Sequence, residues 1–152
     1  MSSSDWRKNL LTDPLQAIKL AGSAKRVAVL GIKTEAKAEQ PAFFVPQYLQ
    51  ADGVEIIPVP VFFPEATHIL GQPVFRRVED VPGSIDILDV FRKPADLAQH
   101  MDDILAKHPK AVWLQSGIRN AEVEERLAQQ GILVVADRCL KVDRAAAQAA
   151  KL

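Results

Sequence analysis

Five short apolar runs rich in β-branched residues recur along this chain, and segments with helical periodicity separate them. Nearly continuous apolar character over about five residues is typical of a parallel strand that is covered on both faces. We therefore predict five strands, which span Arg26–Gly31, Glu55–Pro60, Ile85–Val90, Ala111–Leu114 and Ile132–Ala136.

Helical patterns fill most of the intervals between these strands, and capping residues mark several of their ends. The predicted helices cover 1–20, with a break at Asp13-Pro14, then Ala42–Ala51, Pro94–Lys107, Asn120–Gln130 and the Ala-rich end from Asp143. Pro46 lies inside the second of these segments, so that helix either starts late or kinks there.

The stretch Val61–Gly83 differs from the rest because prolines and glycines interrupt its short apolar pieces. It predicts a long irregular connection with room for one small strand. Outside this stretch, strands and helices alternate. This alternation predicts a Rossmann-like, three-layer α/β fold with a mostly parallel sheet and helices on both faces.

The chain has 152 residues, of which 48% are apolar, and this predicts one domain with a real core. We assign the domain to 1–152, with a helical extension over 1–22 and a C-terminal tail over 143–152. Basic and acidic residues number 19 each, so charge gives no reason to expect nucleic acid or an anionic membrane as partner.

We expect a cytoplasmic protein for three reasons. The chain has one cysteine, its N-terminus lacks a secretory pattern, and its apolar runs are too short to span a bilayer. Trp6, Leu10 and Leu11 form an apolar face that is either a packing contact or a contact within a homo-oligomer.

Ligands of open parallel sheets bind beyond the carboxyl ends of the strands, where the strand order reverses. The first such loop begins at Gly31, which permits a tight turn, and it carries Lys33 before a helix start. The spaced glycines of a dinucleotide-binding loop are absent. An ordinary strand-to-helix turn therefore remains open as an alternative to a phosphate-binding loop.

The second loop, Val59-Pro60-Val61-Phe62, lacks the acidic residue with which NAD enzymes bind the ribose hydroxyls. Asp52 and Glu55 lie at the opposite end of this strand. An apolar, aromatic strand end suits an adenine ring instead. Alternatively, Phe62 and Phe63 only cover the edge of the sheet.

The third and fourth loops add polar candidates. Phe91-Arg92-Lys93-Pro94 carries two cations before a helix, and Arg92 has the forked geometry that phosphate recognition favours. A solvated basic turn, or an internal pair with Asp89, is the alternative. Gln115 and Ser116 either hydrogen-bond a ligand or cap the next helix.

Several motifs, in order and spacing, resemble the CoA-binding domain family, the small stand-alone group related to the N-terminal domain of the succinyl-CoA synthetase α subunit. They are Val27-Ala28-Val29-Leu30-Gly31, Tyr48-Leu49-Gln50-Ala51-Asp52-Gly53, Ile57-Pro58-Val59, Ile69-Leu70-Gly71, Asp89-Val90-Phe91-Arg92, Trp113-Leu114-Gln115-Ser116-Gly117-Ile118 and Val134 to Lys141. The matching region runs from about Arg26 to Val142.

The resemblance implies a site for the adenosine diphosphate part of coenzyme A. It places the pyrophosphate at Gly31, Ile32, Lys33 and Thr34, the adenine and ribose near Val59 and Pro60, and Phe91 and Arg92 beside the nucleotide.

The chain departs from the family pattern at three points. Lys33-Thr34 replaces a small polar pair, Gln40-Pro41-Ala42 replaces Arg-Pro-Ser at the helix start, and Pro60-Val61 replaces Asn-Pro. We hypothesise that Lys33 and Lys37 compensate for the missing arginine.

No Ser-His-Asp set, metal cluster or phosphate-binding P-loop is visible in the sequence, and we expect His68, His100 and His108 to be solvated. Cys139 is expected to be a buried structural thiol, the alternative being a mixed disulfide with the CoA thiol. The sequence thus predicts a non-catalytic module that binds CoA or an acyl-CoA. An NAD(P)-dependent enzyme and a ligand-free interaction domain are the alternatives.

Overall fold

A parallel sheet of five strands forms the centre of the computed structural model, which describes residues 3–152. The strands are β1 (Arg26–Leu30), β2 (Glu55–Val59), β3 (His68–Ile69), β4 (Gln72–Pro73), β5 (Ile87–Val90), β6 (Ala111–Leu114) and β7 (Leu133–Val135). The sheet order is β2-β1-β5-β6-β7, and β3 and β4 form a separate antiparallel hairpin. All five predicted strands are confirmed, and their ends shift by two residues at most.

Helices cover both faces of the sheet, as predicted. They are α1 (Pro14–Ser23), α2 (Pro41–Ala51), α3 (Met101–Lys107), α4 (Ala121–Gln129) and α5 (Leu140–Ala150). Alternate strand residues point to opposite faces. Thus Ala28 and Leu30 pack in the core beneath α3 and α4, whereas Val27 and Val29 pack in the core beneath α1, α2 and α5.

Helix α2 runs through Pro46 and begins at Pro41, so it does not start late. A proline inside a helix has no N–H to give to the carbonyl four residues earlier, which here belongs to Ala42. The backbone N–H of Lys33 donates to that carbonyl instead, at 3.2 Å. The proline therefore frees an acceptor that fixes the loop after β1 against the first turn of α2.

The predicted continuous helix over Pro94–Lys107 is wrong. The chain makes short 3₁₀ turns at Pro94–Asp96 and Ala98–His100, and regular helix begins only at Met101. The amide of Asn120 donates to the carbonyl of Pro94 at 3.2 Å, and that carbonyl also accepts a three-residue turn bond. Because the Pro94 carbonyl accepts from Asn120 and from the N–H of Leu97, the segment forms 3₁₀ turns, which are wound more tightly than an α-helix.

Both chain ends belong to the packed structure. Asp13 caps α1 at the predicted break by accepting from the N–H of Leu15 at 3.0 Å. Trp6, Leu10 and Leu11 pack against the protein's own core. The C-terminal helix starts at Leu140, three residues before the predicted tail.

Arg144 ties α5 to its neighbours. Its guanidinium donates to the carboxylate of Asp52 at 2.8 Å and to the carbonyls of Ala21 and Ala24 at 3.0 and 2.9 Å. One buried side chain thus links the end of α1, the end of α2 and the middle of α5.

Candidate functional site

The strand order reverses between β1 and β5, and the loops after these two strands lie against each other. Gly31 makes this approach possible. Its φ is +87°, and a Cβ atom there would lie 2.5 Å from the carbonyl oxygen of Phe91. Only glycine therefore fits at the point where the two loops meet.

A cleft of about 670 Å³ opens beside this point. Its walls come from the loops after β1, β2, β5 and β6 and from the first residues of α2, and Cys139 closes it ahead of α5. A concave site at the switch point of a parallel sheet is the position expected for a ligand in this type of fold.

The cleft brings together about half of the residues that the sequence nominated. Those that line it are Lys33, Gln40, Pro41, Phe91, Arg92, Gln115 and Ser116. The nominated residues that do not line it are Gly31, Ile32, Thr34, Lys37, Val59 and Pro60. Ile32 and Val59 are buried in the apolar core. Roles in ligand binding stay a prediction for every member of both sets.

The side chain of Lys33 lies at the start of α2, where its amine donates to the side-chain oxygen of Gln40. Gln40 is the N-cap residue of α2, but its side chain does not cap the backbone. A lysine ammonium thus stands beside the N-terminus of α2. Pro41 has no N–H there, and the N–H groups of Phe43 and Phe44 donate to the carbonyl of Gln40 at 2.9 and 3.0 Å, so the N–H of Ala42 is the one that this first turn offers to a ligand. Both features favour an anion.

Arg92 contributes a second cation from the other side of the switch point. Its Nε donates to Nε2 of His100 at 3.0 Å, and its Nη2 lies 3.8 Å from a carboxylate oxygen of Asp96. The predicted alternative of an internal pair with Asp89 is wrong, because Asp89 has no hydrogen-bond partner.

His100 is half-buried against Arg92, so the expectation of a solvated histidine is wrong for this residue. Burial lowers the pKa of His100 below its usual value, the Arg92 cation lowers it further, and Asp103 and Asp96 partly offset both. Because Nε2 accepts the bond from Arg92, the imidazole is neutral there. His68 and His108 are exposed, as expected.

Gln115 and Cys139 close the cleft near α5. The side-chain oxygen of Gln115 accepts from the backbone N–H of Leu140 at 3.1 Å, so its amide nitrogen is the part left for a ligand. Cys139 is half-buried and lines the cleft, rather than being a buried structural thiol as expected.

Sequence reasoning did not nominate several residues that shape the cleft, among them Phe44, Phe62, Asp96 and Ile118. Phe62 was considered and left undecided between a ligand contact and an edge cover. Its exposure of 64% decides against the edge cover, because a covering ring would be largely buried. Phe44 carried no distinguishing pattern, since it shares the apolar periodicity of α2.

A family model described as a CoA binding domain matches residues 25–145 of the chain. The chain belongs to this CoA-binding domain family. The matched span takes in all five strands of the sheet and every wall of the cleft.

Two relatives cover most of the chain. The uncharacterized protein YneT of Bacillus subtilis (strain 168) is 32% identical over 122 residues, which are 80% of this chain and 87% of YneT. The structure of cell-free ID.343 from Thermus thermophilus is 38% identical, with a TM-score of 0.79 over 89% of this chain and 98% of that one.

A more distant neighbour shows the fold alone. The dinucleotide-forming acetyl-coenzyme A synthetase 1 of Ca. Korarchaeum cryptofilum, in complex with phosphate and ADP, is 18% identical, with a TM-score of 0.62. The similarity spans 77% of this chain but only 26% of that one. The family's fold thus recurs as one part of a much larger synthetase.

Within residues 3–152, no helix is long and apolar enough to cross a membrane. The same residues contain no group of three or more His, Cys, Asp and Glu side chains placed to hold a metal ion.

Proposed function

We propose that this chain binds coenzyme A or an acyl-CoA through its adenosine diphosphate part, in the cleft between the loops after β1 and β5. One observation carries the proposal. Lys33 and Arg92 come from opposite sides of the switch point, yet both line the same cleft beside the N-terminus of α2. A pyrophosphate is bound by converging cations of this kind, and the positive end of the helix dipole also favours it.

The rest of the cleft suits the remainder of a CoA molecule. Phe44, Phe62, Phe91 and Ile118 present apolar surface around the two cations. Such a lining with a few placed polar groups is the usual composition of a cofactor site. Asp96 is the acidic residue of the cleft, and it faces Arg92. NAD binding has less support, because β2 ends at Val59 without an acid for the ribose.

We further propose a binding or accessory role without catalysis. The residues that line the cleft include Cys139 but no histidine, and His100, outside that lining, accepts a hydrogen bond from Arg92. A cytoplasmic location, with CoA as partner and without nucleic acid or membrane, remains our proposal, supported by the balanced charge of the chain and its single cysteine.

Thermal unfolding with CoA, acetyl-CoA, NAD and NADP tests the proposal. A ligand that binds only the folded state stabilises it by RT ln(1 + [L]/Kd), about 2.7 kcal/mol at a hundredfold excess over Kd. We expect stabilisation by CoA and acetyl-CoA and none by NAD or NADP. Lys33→Ala should reduce the stabilisation, whereas Lys19→Ala, at an exposed position on α1, is the matched control. Stabilisation by NAD instead of CoA would overturn the proposal.

A further inference from the structure

The side chain of Arg92 lines the cleft, yet the protein buries most of it and leaves only 11% exposed. Its guanidinium lies over the ring of Phe62, with 5.5 Å between its central carbon and the ring centroid. Within residues 3–152, neither Nη atom donates a hydrogen bond, and Nη2 approaches Asp96 only to 3.8 Å. The two Nη groups are therefore the N–H donors that Arg92 offers to a phosphate.

The third nitrogen of this guanidinium, Nε, does have an acceptor. It donates to Nε2 of His100 at 3.0 Å, and the side-chain nitrogen of Gln99 lies 3.4 Å from the same Nε2 atom. Two N–H donors thus converge on one ring nitrogen, which must present a lone pair and not a proton. The form of His100 that fits this arrangement is the neutral imidazole with its proton on Nδ1.

We propose that neutral His100 is the positioning residue of the phosphate site, and that its protonation releases Arg92 and weakens the binding of CoA. The inference rests on the proposed function and deepens it by adding control through a proton. While Nε2 presents a lone pair, His100 holds the guanidinium at the wall of the cleft. Once Nε2 carries a proton, the acceptor is lost and two cations face each other at hydrogen-bond distance.

Three charged groups face His100, and they come from separate parts of the chain. They are Arg92 in the loop after β5, Asp96 in the 3₁₀ turn that follows, and Asp103 on α3. Burial and the Arg92 cation lower the pKa of His100, and the two carboxylates only partly offset them. The Asp103 carboxylate already accepts two backbone N–H groups at 2.7 and 2.8 Å, and Nε of Arg77 lies 3.9 Å from it. The imidazole should therefore be neutral at pH 7 and gain its proton on acidification.

Two replacements of His100 separate the contact with Arg92 from side-chain packing. His100→Gln places an amide oxygen near the position of Nε2, so it keeps an acceptor and cannot titrate. His100→Leu fills similar space without an acceptor. Neither change removes a helix cap, because the His100 side chain makes no capping hydrogen bond at the start of α3. His68→Gln and His68→Leu, at an exposed position on β3, are the matched controls.

Isothermal titration with CoA at pH 8 measures the effect of the contact on binding. We expect His100→Leu to bind about twofold to tenfold more weakly than wild type, because the ligand must then immobilise a loose arginine side chain. His100→Gln and the two His68 variants should bind like wild type. In an Arg92→Ala background, His100→Leu should have no further effect, because His100 acts through Arg92.

The pH profile is a readout that packing alone would not move. The phosphate monoester of CoA titrates near about pH 6, so the quantity to compare is the ratio of the wild-type Kd to the His100→Gln Kd at each pH. We expect this ratio to be near one at pH 8 and to rise toward pH 5, as the wild-type imidazole gains its proton. A ratio that falls below one toward pH 5 would mean that the imidazolium attracts the phosphates directly, and it would overturn the proposal.

A nuclear magnetic resonance measurement tests the contact without any ligand. The ¹⁵N-labelled Nε–H signal of Arg92, assigned by its loss in Arg92→Ala, should be sharp at pH 8 in wild type and in His100→Gln. It should broaden in His100→Leu, and in wild type at pH 5, because an N–H without an acceptor exchanges faster with water.

The outcomes separate the two proposals. If wild type binds CoA and His100→Leu binds it equally well, the positioning role is refuted and CoA binding stands. An Arg92 signal that is the same in His100→Leu and wild type also refutes the positioning role. If wild type shows the expected Arg92 signal but binds no CoA, the proposed function fails, and the role of His100 in binding fails with it.

Discussion

Replacing Asp89 with valine should stabilise the protein and change how its stability depends on pH. Asp89 lies in the middle of β5, with Val29 and Trp113 as its neighbours across the sheet. Its side chain is 0% exposed. Among the described residues, its carboxyl oxygens are the only buried side-chain polar atoms without a hydrogen-bond partner.

Burial raises the pKa of Asp89 well above its ordinary value of 3.8. The folded chain therefore keeps this carboxyl protonated at pH values where the unfolded chain has already lost the proton. Folding must take up that proton, so stability falls as pH rises from the unfolded pKa to the folded one. The loss is about 1.36 kcal/mol per pH unit over that interval.

The missing hydrogen bonds add a second cost, which for a buried polar group is about 1–3 kcal/mol at any pH. Valine removes both costs, and β-branched residues suit a central strand. We expect Asp89→Val to raise the free energy of unfolding at pH 7 by at least about 2 kcal/mol. For a chain of this size that corresponds to about 4 °C or more in Tm.

Urea unfolding of wild type, Asp89→Val and Asp89→Asn at pH 5, 6, 7 and 8 measures the two costs separately. The asparagine variant cannot titrate but keeps a polar group, so it should lose only the pH-dependent cost relative to wild type. A valine variant less stable than wild type at pH 7 would refute this reasoning. So would a difference between wild type and Asp89→Asn that does not grow with pH.

Three other variants probe the contacts that hold the fold and the cleft. Arg144→Ala should cost about 3 kcal/mol in urea unfolding, because it removes the cation beside Asp52, which keeps only the amide of Gln148, and leaves the carbonyls of Ala21 and Ala24 without this donor; a cost below 1 kcal/mol would contradict its linking role. Asp13→Ala should cost about 1 kcal/mol in the same assay, as expected for loss of an N-cap, and an unchanged midpoint would contradict the cap. Arg76→Gln should raise the Kd for CoA severalfold and speed proteolysis after Phe62, because it removes the guanidinium that donates to the carbonyls of Phe62 and Ala66. Unchanged proteolysis rates and affinity would show that these hydrogen bonds do not hold the loop after β2 in place.

The sheet and most helices could be predicted because burial on both faces imposes a local pattern that the sequence carries. The strand at Ala111–Leu114 needed no other information. Asn120 marked the start of α4 through its side chain, which accepts from the N–H of Val123 at 3.1 Å.

The misjudged parts depend on contacts between residues far apart in the chain. Pro94–Lys107 has a helical pattern, but Asn120 reaches back to the carbonyl of Pro94. Pro46 indicates a break in α2, yet the helix continues, and the backbone N–H of Lys33 donates to the Ala42 carbonyl that the proline cannot reach. Local patterns do not encode either contact.

The cleft shows the same division. Ligands of parallel sheets bind beyond the carboxyl ends of the strands, and this rule predicted the loops that carry Lys33 and Arg92. Both residues line the cleft. That rule did not reveal that His100 and Asp96 contact the guanidinium of Arg92. Nor did it reveal that Arg76 donates a hydrogen bond to the carbonyl of Phe62. These partners fix the geometry of the cleft, and they become visible only when the chain is folded.

Isothermal titration of the wild-type chain with CoA, beside the double variant Lys33→Ala/Arg92→Ala, tests the central claim most directly. The account predicts one CoA site per chain in wild type, and a large loss of affinity in the double variant while its unfolding stays cooperative. No heat of binding with wild type at millimolar CoA would contradict the account. Equal affinity in the two proteins would contradict the location of the site.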